Sequence, residues 1–448
     1  MQSFNNLIVF IFLIFFSILF LFSFLSTNNS YYDSSVLSRL KKYDLLNQLD
    51  LLELEVAEEK AELEKLTMIV SKFEKELNSI NYEKVQNSTV IPVVVLVCNR
   101  VEALKSLISK LLKIRPSIET FPIYVSQDCN SPDILEMIKN FYIKNITYIK
   151  HTSPLENNNV VIPQNMLRYK SYYYISRHYK LILQHIFDQL NYEAAILLED
   201  DLDVSDDIFS YFNATYHKLL ISDKSLYCIS AWNDNGLPEL IDLKDNVGLY
   251  RTDFFPGLGW LLTKNLWMEL GNRWPDGFWD DWIRKPEQRK DRMCIRPEIS
   301  RTSMTKFGAE GASKGYFFRN FLSRIKLNDI SVDFSNLDLS YLTEKNYEKY
   351  YMNIVYNKSK LISFNNLKTY LNQSNIIKKK NIFRVEYSTF NEYEEIAKFL
   401  EMMRDFKEGV ERTAYKGIVT VFKNETRIFV APKQNEWKGY DRKWEFIP

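Results

Sequence analysis

The stretch "AAILLEDDLDV", residues 194–204, limits the possible folds more than any other: an apolar run of strand length stops in three consecutive carboxylates, Glu199, Asp200 and Asp201. Burying such a cluster unpaired is very costly. The strand must therefore pass through a core and emerge at an edge where the acids meet water, a cation or a ligand.

The flanking chain supplies the rest of such a sheet. "VVVLV" (93–97) is followed by Leu104, Leu107, Ile108 and Leu111 at helical spacing, then by "PIYVS" (122–126), a helix around Ile134 to Phe141, and "ITYIK" (146–150). A long helix from about Arg168 to Leu190 leads into "AAILL". Alternation of this kind predicts an α/β fold with a mostly parallel sheet and crossover helices. Arg100 then follows the first strand, Asp128 the second and the acid trio the fourth, at the edge where open α/β sheets bind ligands. Cys98 and Cys129 fall just past the first two strands, and neighbouring strands lie about 4.8 Å apart, which favours Cys98–Cys129 and leaves Cys228–Cys294. No two cysteines have a CxxC spacing, which disfavours a cysteine metal site.

The 448 residues, 46% hydrophobic, allow a large core and more than one domain. Lys plus Arg at 58 against Asp plus Glu at 57 leaves no overall attraction to nucleic acid, and the run Lys378 to Lys380 reads as a solvated loop. Leu7 to Leu25 carries no charge and matches a bilayer span of about 30 Å, longer than the apolar part of a cleaved signal. The expectation is a cytosolic tail (1–6), a membrane anchor (7–25) and a lumenal body. Seven sequons, at Asn28, Asn87, Asn145, Asn213, Asn357, Asn372 and Asn424, and an even cysteine count fit an oxidising, glycosylating compartment. Within a stem (26–90), apolar positions from Leu45 to Ile80 recur four and three apart, with Glu59 the break, and predict a coiled coil able to pair two chains.

Acids beside an arginine, with no P-loop and no GxGxxG, suggest Mg²⁺ or Mn²⁺ holding a diphosphate. A metal phosphodiesterase, a calcium module or a plain acidic turn is also compatible with the trio alone. From Tyr250 to Ser300 a second dense stretch contains "FFPGLGW", whose Gly257 and Gly259 suggest a close backbone approach or a tight turn, and Trp and Phe residues that serve as a sugar-stacking floor or as core. "FWDDW" sets two carboxylates among large rings, where desolvation raises proton affinity and suits a general base.

With "VVVLVCNR", "FPIYVSQDC", "ISRHYK", "AAILLEDDLDVSDDIFSYF", "CISAWNDNG", "YRTDFFPGLGWLL", "FWDDWIRKPEQR" and "CIRPEISRT" in this order, the chain resembles the N-acetylglucosaminyltransferase I family from about Ile91 to the C-terminus, where "AYKGIVT" and "WKGYDRKW" also fit. The resemblance implies a GT-A type, Rossmann-like nucleotide-sugar domain (91–340) and a smaller C-terminal α+β domain (341–448). It implies inverting, Mn²⁺-dependent transfer of GlcNAc from UDP-GlcNAc to a mannose 2-hydroxyl of an oligomannose N-glycan, in the Golgi lumen. By motif, Asp201 is the metal ligand, Glu199 and Asp200 contact the nucleotide-sugar, and Arg100, Asp128 and His178 bind the uridine diphosphate or its nucleoside. Asp280 is the general base, with Asp281 the lesser candidate, and Ser313 is a donor contact in a loop at about 307–318. Both cysteine pairs agree with the family. Departures are Asn99, where the family often has an acid, and the extra Ser303 and Lys306 ahead of the donor loop. Rival readings are transfer to protein O-linked mannose, disfavoured by a stem that runs straight into "IPVVV", and a non-catalytic glycan-binding relative.

Overall fold

The computed structural model describes residues 89–142, 145–154, 160–313, 315–373 and 381–445, with single positions at 56, 59, 60 and 67. The expected span at Leu7 to Leu25, the run Lys378 to Lys380 and, apart from those four positions, the heptad stem lie outside the described residues. Among the described residues no helix is long and apolar enough to cross a membrane.

Strands β1 (Val93–Val97), β2 (Ile123–Gln127), β3 (Ile146–Lys150) and β4 (Ala194–Glu199) alternate with helices α1 (Val101–Ile114), α2 (Pro132–Phe141) and α3 (Lys170–Gln184), close to the expected bounds. There follow β5 (Leu202–Val204), α4 (Ile208–Thr215), β6 (Leu226–Ser230), β7 (Leu249–Thr252), β8 (Trp260–Thr263), α5 (Lys264–Leu270), α6 (Trp279–Arg284), α7 (Pro286–Arg289), β9 (Met293–Pro297) and β10 (Thr302–Met304). Eight strands form one sheet in the order β3-β2-β1-β4-β8-β6-β9-β7. β1 to β4 run parallel, β9 runs parallel to β6, and β8 and β7 run against their neighbours. The sheet is mixed: β7 and β8 enter from the edge at which the other six strands end.

Successive side chains of a strand point to opposite faces, and here both faces are covered. Val93, Val95 and Val97 join the core built with Leu104, Leu107 and Ile108 of α1, whereas Val94 and Leu96 pack with Ile182 and Leu183 of α3. The same alternation divides Ile196 and Leu198 from Ala195 and Leu197 in β4. Continuous apolar strands result, with charge permitted only at their ends.

The C-terminal part adds α8 (Tyr316–Asn320), α9 (Glu344–Met352), β11 (Lys360–Leu361), α10 (Phe364–Asn372), β12 (Asn381–Tyr387), α11 (Phe390–Leu400), the ribbon β13 (Phe406–Lys407) and β14 (Val410–Glu411), β15 (Val419–Lys423) and β16 (Thr426–Pro432). Its sheet runs β11-β12-β16-β15. Ile428 and Val430 of β16 face that sheet's own core, while Phe429 and Ala431 join the core of the large sheet.

Both expected disulfides form. Cys98 and Cys129 stand 5.2 Å apart at Cα just beyond β1 and β2, and Cys228 and Cys294 stand 4.7 Å apart as register partners on β6 and β9. Of the described sequon asparagines, Asn145, Asn357, Asn372 and Asn424 are exposed, but Asn213 is half-buried in α4, where Thr215 is buried and donates to the Tyr211 carbonyl at 2.6 Å.

Gly257 and Gly259 take φ of +66° and +93°, and a Cβ at Gly259 would stand 2.6 Å from Thr302 Cγ2. The close backbone approach expected from "GLGW" is thus between the start of β8 and β10. Gly259→Ala should cost about 1–3 kcal/mol through backbone strain and overpacking. Chemical denaturation checks this, and wild-type stability would contradict the close contact.

Candidate active site

The acid edge is organised by Arg100, immediately after β1. Its Nε donates to Asp200 Oδ2 at 3.2 Å, its Nη2 donates to Asp200 Oδ1, and its Nη1 donates to Asp201 Oδ2 at 3.0 Å and to the Phe307 carbonyl at 3.0 Å. β4 and β1 are register neighbours, so the residues after them converge without any long side-chain reach. Asp200 and Asp201 are almost wholly buried. Burial raises the Asp200 carboxyl to about 6 against the pull of Arg100, and burial beside Asp201 raises Glu199.

The donor loop is tied to the same place. β5 begins just after Asp201 and pairs antiparallel with β10, Leu202 opposite Met304. The Thr305 backbone N–H and hydroxyl both donate to the Asp201 carbonyl at 2.8 Å. Ser303, an extra residue by the resemblance, is accommodated opposite Asp203 in this ribbon. Ser313 lies further along, where its carbonyl accepts from the Tyr316 N–H at 3.1 Å. The loop therefore meets the acid edge through Phe307 and Thr305.

Asp128 and His178 form a second group at the end of β2. His178 Nε2 and Ser126 Oγ are 2.8 Å apart, His178 Nδ1 stands 3.4 Å from Asp128 Oδ1, and His151 Nε2 is 3.1 Å from the same Ser126 hydroxyl. Burial pushes Asp128 up to about 6 and lowers His178 to about 3 and His151 to about 4, so both imidazoles are neutral near pH 7. This places two half-polar rings and one carboxylate together at the end of β2, suited to a planar, hydrogen-bonding base.

α6 contributes the second pair of acids. Phe278 precedes it with φ of +54°, and its ring stacks on Tyr172 at 4.8 Å between centroids. Arg284 Nη1 donates to Asp280 Oδ2 at 3.0 Å and to Asp281 Oδ1 at 2.9 Å, and Lys407 of β13 donates to Asp281 Oδ2 at 3.2 Å. Burial works to raise Asp281, but Arg284 and Lys407 outweigh it and hold that carboxyl below its usual range. The raised proton affinity expected from the flanking rings is therefore absent at Asp281, because two cations reach it. Asp280 shares only Arg284 among the described residues, and is the freer of the two. The Trp and Phe residues of this stretch are mostly core: Trp260, Trp267, Trp274 and Trp279 are buried, so they form no exposed stacking floor.

Tyr179 connects the two acid groups. Its hydroxyl donates to Glu199 Oε1 at 2.9 Å and its ring packs on Trp279 at 4.2 Å, one residue before Asp280. Sequence reasoning missed Tyr179, although it stands next to His178 in "ISRHYK", and missed Arg284, whose i+4 spacing from Asp280 was legible. It had no route to Lys407, which comes from 126 residues away along the chain.

Asp201 Oδ1 is buried and has no hydrogen-bond partner among the described residues, while Oδ2 is held by Arg100. One hard, unsatisfied carboxylate oxygen fits Mg²⁺ or Mn²⁺. Cys98, Asp128 and Cys129 also have potential ligand atoms within 4.8 Å of one another, but the two sulfurs are bonded to each other and offer no thiolates.

Known proteins bear on this site. A family model described as the GNT-I family matches residues 5–444. An alpha-1,3-mannosyl-glycoprotein 2-beta-N-acetylglucosaminyltransferase of Arabidopsis thaliana is 38% identical over 347 residues, 76% of this chain and 73% of that protein. Among solved structures, S. aureus TarS 1–349 matches at a TM-score of 0.35 and 11% identity over 49% of this chain and 61% of that one. The mannosyltransferase PcManGT of Pyrobaculum calidifontis, in complex with GDP-Man and Mn²⁺, matches at 0.27 and 13% over 40% and 46%. These two structural likenesses are too slight to bear on function.

The buried His178 has a pH signature. Its folded pKa of about 3 lies below the unfolded value of about 6.5, so its stabilising share is complete above pH 6.5 and is lost as pH falls toward 3. Replacing it by Asn should flatten the stability–pH slope between pH 6 and 4.5 by about 1.4 kcal/mol per pH unit. Denaturant titrations at several pH values read this, and parallel slopes for wild type and variant would contradict a buried neutral imidazole.

Proposed function

The chain belongs to the GNT-I family, and from that membership we infer that it is a glycosyltransferase that transfers GlcNAc to a mannose of N-glycans. We propose, more finely, that the donor is UDP-GlcNAc, the acceptor is the 2-hydroxyl of the alpha-1,3-arm mannose of an oligomannose N-glycan, and the reaction is a single inverting displacement on a GT-A type domain. The observation that carries the finer reading is the pairing of a buried, unsatisfied Asp201 oxygen with a second, partly exposed carboxylate at Asp280, linked through Tyr179 and α6.

The residues divide the work. Arg100, with Asp128 and His178 near it, binds and orients the uridine diphosphate, and the loop after β10 closes over the donor and excludes water. Asp201 would hold Mn²⁺, whose charge would offset that of the departing diphosphate. Asp280 accepts the proton of the mannose 2-hydroxyl as its oxygen bonds to C1 of GlcNAc and the C1–O bond to the diphosphate breaks. Inversion requires one base and no nucleophilic side chain. Arg284 fixes the Asp280 carboxylate, and Lys407 commits Asp281 to an ion pair. The two disulfides and the exposed sequons support a Golgi-lumenal body, anchored through residues 7–25 and paired through its stem.

The test uses residues 83–448 secreted from a eukaryotic host, incubated with UDP-GlcNAc, Mn²⁺ and a five-mannose N-glycan, with glycan mass as readout. Gain of one HexNAc, abolished by a chelator and by Asp201→Ala, is expected. Transfer only to an O-mannosyl peptide would replace the acceptor, and release of UMP instead of UDP would indicate a phosphodiesterase.

Asp280→Asn should lower kcat by about 10²–10⁴-fold while leaving the KM for UDP-GlcNAc within about twofold. Asp281→Asn should lower it far less. Equal losses in the two variants would overturn the assignment of the base.

A further inference from the structure

A cavity of about 440 Å³ lies where the C-terminal sheet meets the β7 edge of the large sheet. Its size is that of a small-ligand site. β7 is four strand positions from β4, roughly 19 Å at about 4.8 Å per strand, so the cavity is separate from the acid edge. The residues assigned above to donor, metal and base do not line it.

Its walls combine rings with charges of both signs. Tyr250, Tyr347, Tyr350 and Tyr351 line it together with Asp245 and Arg427. Around its mouth Tyr350, Val247 and Ile382 are 49%, 46% and 38% exposed, an unusual gathering of large apolar side chains at the surface. The Tyr347 hydroxyl, by contrast, is buried and has no hydrogen-bond partner among the described residues. A Cβ at Gly248 would stand 2.3 Å from Asp245 Oδ2, so glycine is what leaves room for this carboxylate at the wall. Arg427 is held in place by Glu298 at 2.9 Å.

These features select a ligand by elimination. An apolar ligand would leave the buried Tyr347 hydroxyl without a partner. The carboxylates of Asp242 and Asp245 oppose an anion, and the tyrosine hydroxyls and the guanidinium of Arg427, paired with Glu298 through Nη1, present donors that a cation cannot use. A neutral, polyhydroxylated ring satisfies both: its C–H face packs on tyrosine rings, while its hydroxyls donate to the carboxylate and accept from the guanidinium. We propose that this cavity binds a neutral pyranose, a mannose-class unit on an arm of the acceptor glycan other than the reacting one. The proposal rests on the reading of the acceptor as an N-glycan. Engaging a second arm of the branched acceptor in this cavity would add affinity without touching the reaction.

The test has two arms, both on the secreted lumenal body and its Tyr350→Ala and Asp245→Asn variants. Tyr350 is half-exposed and Asp245→Asn keeps the shape of the side chain, so both variants are expected to fold, which a thermal melt verifies. In the first arm, KM is measured for the five-mannose glycan and for methyl α-mannoside. Each variant should raise the KM for the glycan at least fivefold, with kcat, the KM for UDP-GlcNAc and the KM for methyl α-mannoside unchanged. An unchanged KM for the glycan, or an equal rise for both acceptors, overturns the proposal. In the second arm, calorimetry measures binding of the same glycan without donor. Weaker binding in the variants supports the cavity, and identical binding overturns it, even if the wild type transfers GlcNAc to no acceptor and the functional reading itself falls.

Discussion

Three successive carboxylates at the end of a buried strand require positive charge within hydrogen-bonding reach, and Arg100 supplies it. Its guanidinium spans Asp200 and Asp201 and also takes the Phe307 carbonyl. The clamp works because β1 and β4 are adjacent and parallel, which brings Arg100 and the acids to the same edge. Removing one member of such a buried pair leaves an uncompensated charge, typically a loss of about 3–5 kcal/mol. The acid edge and the attachment of the loop at Phe307 thus depend on one side chain.

The second organising fact is that the C-terminal sheet is part of the same packed body as the catalytic sheet. β16 presents one face to its own core and the other to the core of the large sheet. The ribbon that follows α11 delivers Lys407 to Asp281, and Arg412 binds Asp234 at 3.0 Å and also Asp405. This region thus supplies the cation that pairs with one of the two α6 acids, and it completes the tyrosine-lined cavity beside β7.

Much of the architecture was legible because it rests on short-range rules. Continuous apolar runs marked β1 and β4, helical spacing marked α1, and the glycines of "GLGW" marked a close approach that Gly259 makes against Thr302. The expected partner cysteines followed from strand adjacency and are bonded. What misled was the environment of "FWDDW". Large rings nearby suggested desolvated, proton-hungry carboxylates, yet the rings turn into the core and the carboxylates meet Arg284 and Lys407.

The sequence by itself determined which segments become strands and helices, which ends carry charge, and which family motifs line up along the chain. Those properties follow from alternation, pitch and the cost of burying ions, all of which act over a few residues. Only the tertiary structure decided that Asp201 retains an unsatisfied oxygen while Asp200 is fully engaged by Arg100, that Asp280 and not Asp281 is the freer acid, and that a polar cavity opens between two sheets. Each of these depends on how residues far apart in the chain divide a small number of hydrogen bonds and cations among themselves, and that division is set by packing that no local pattern records.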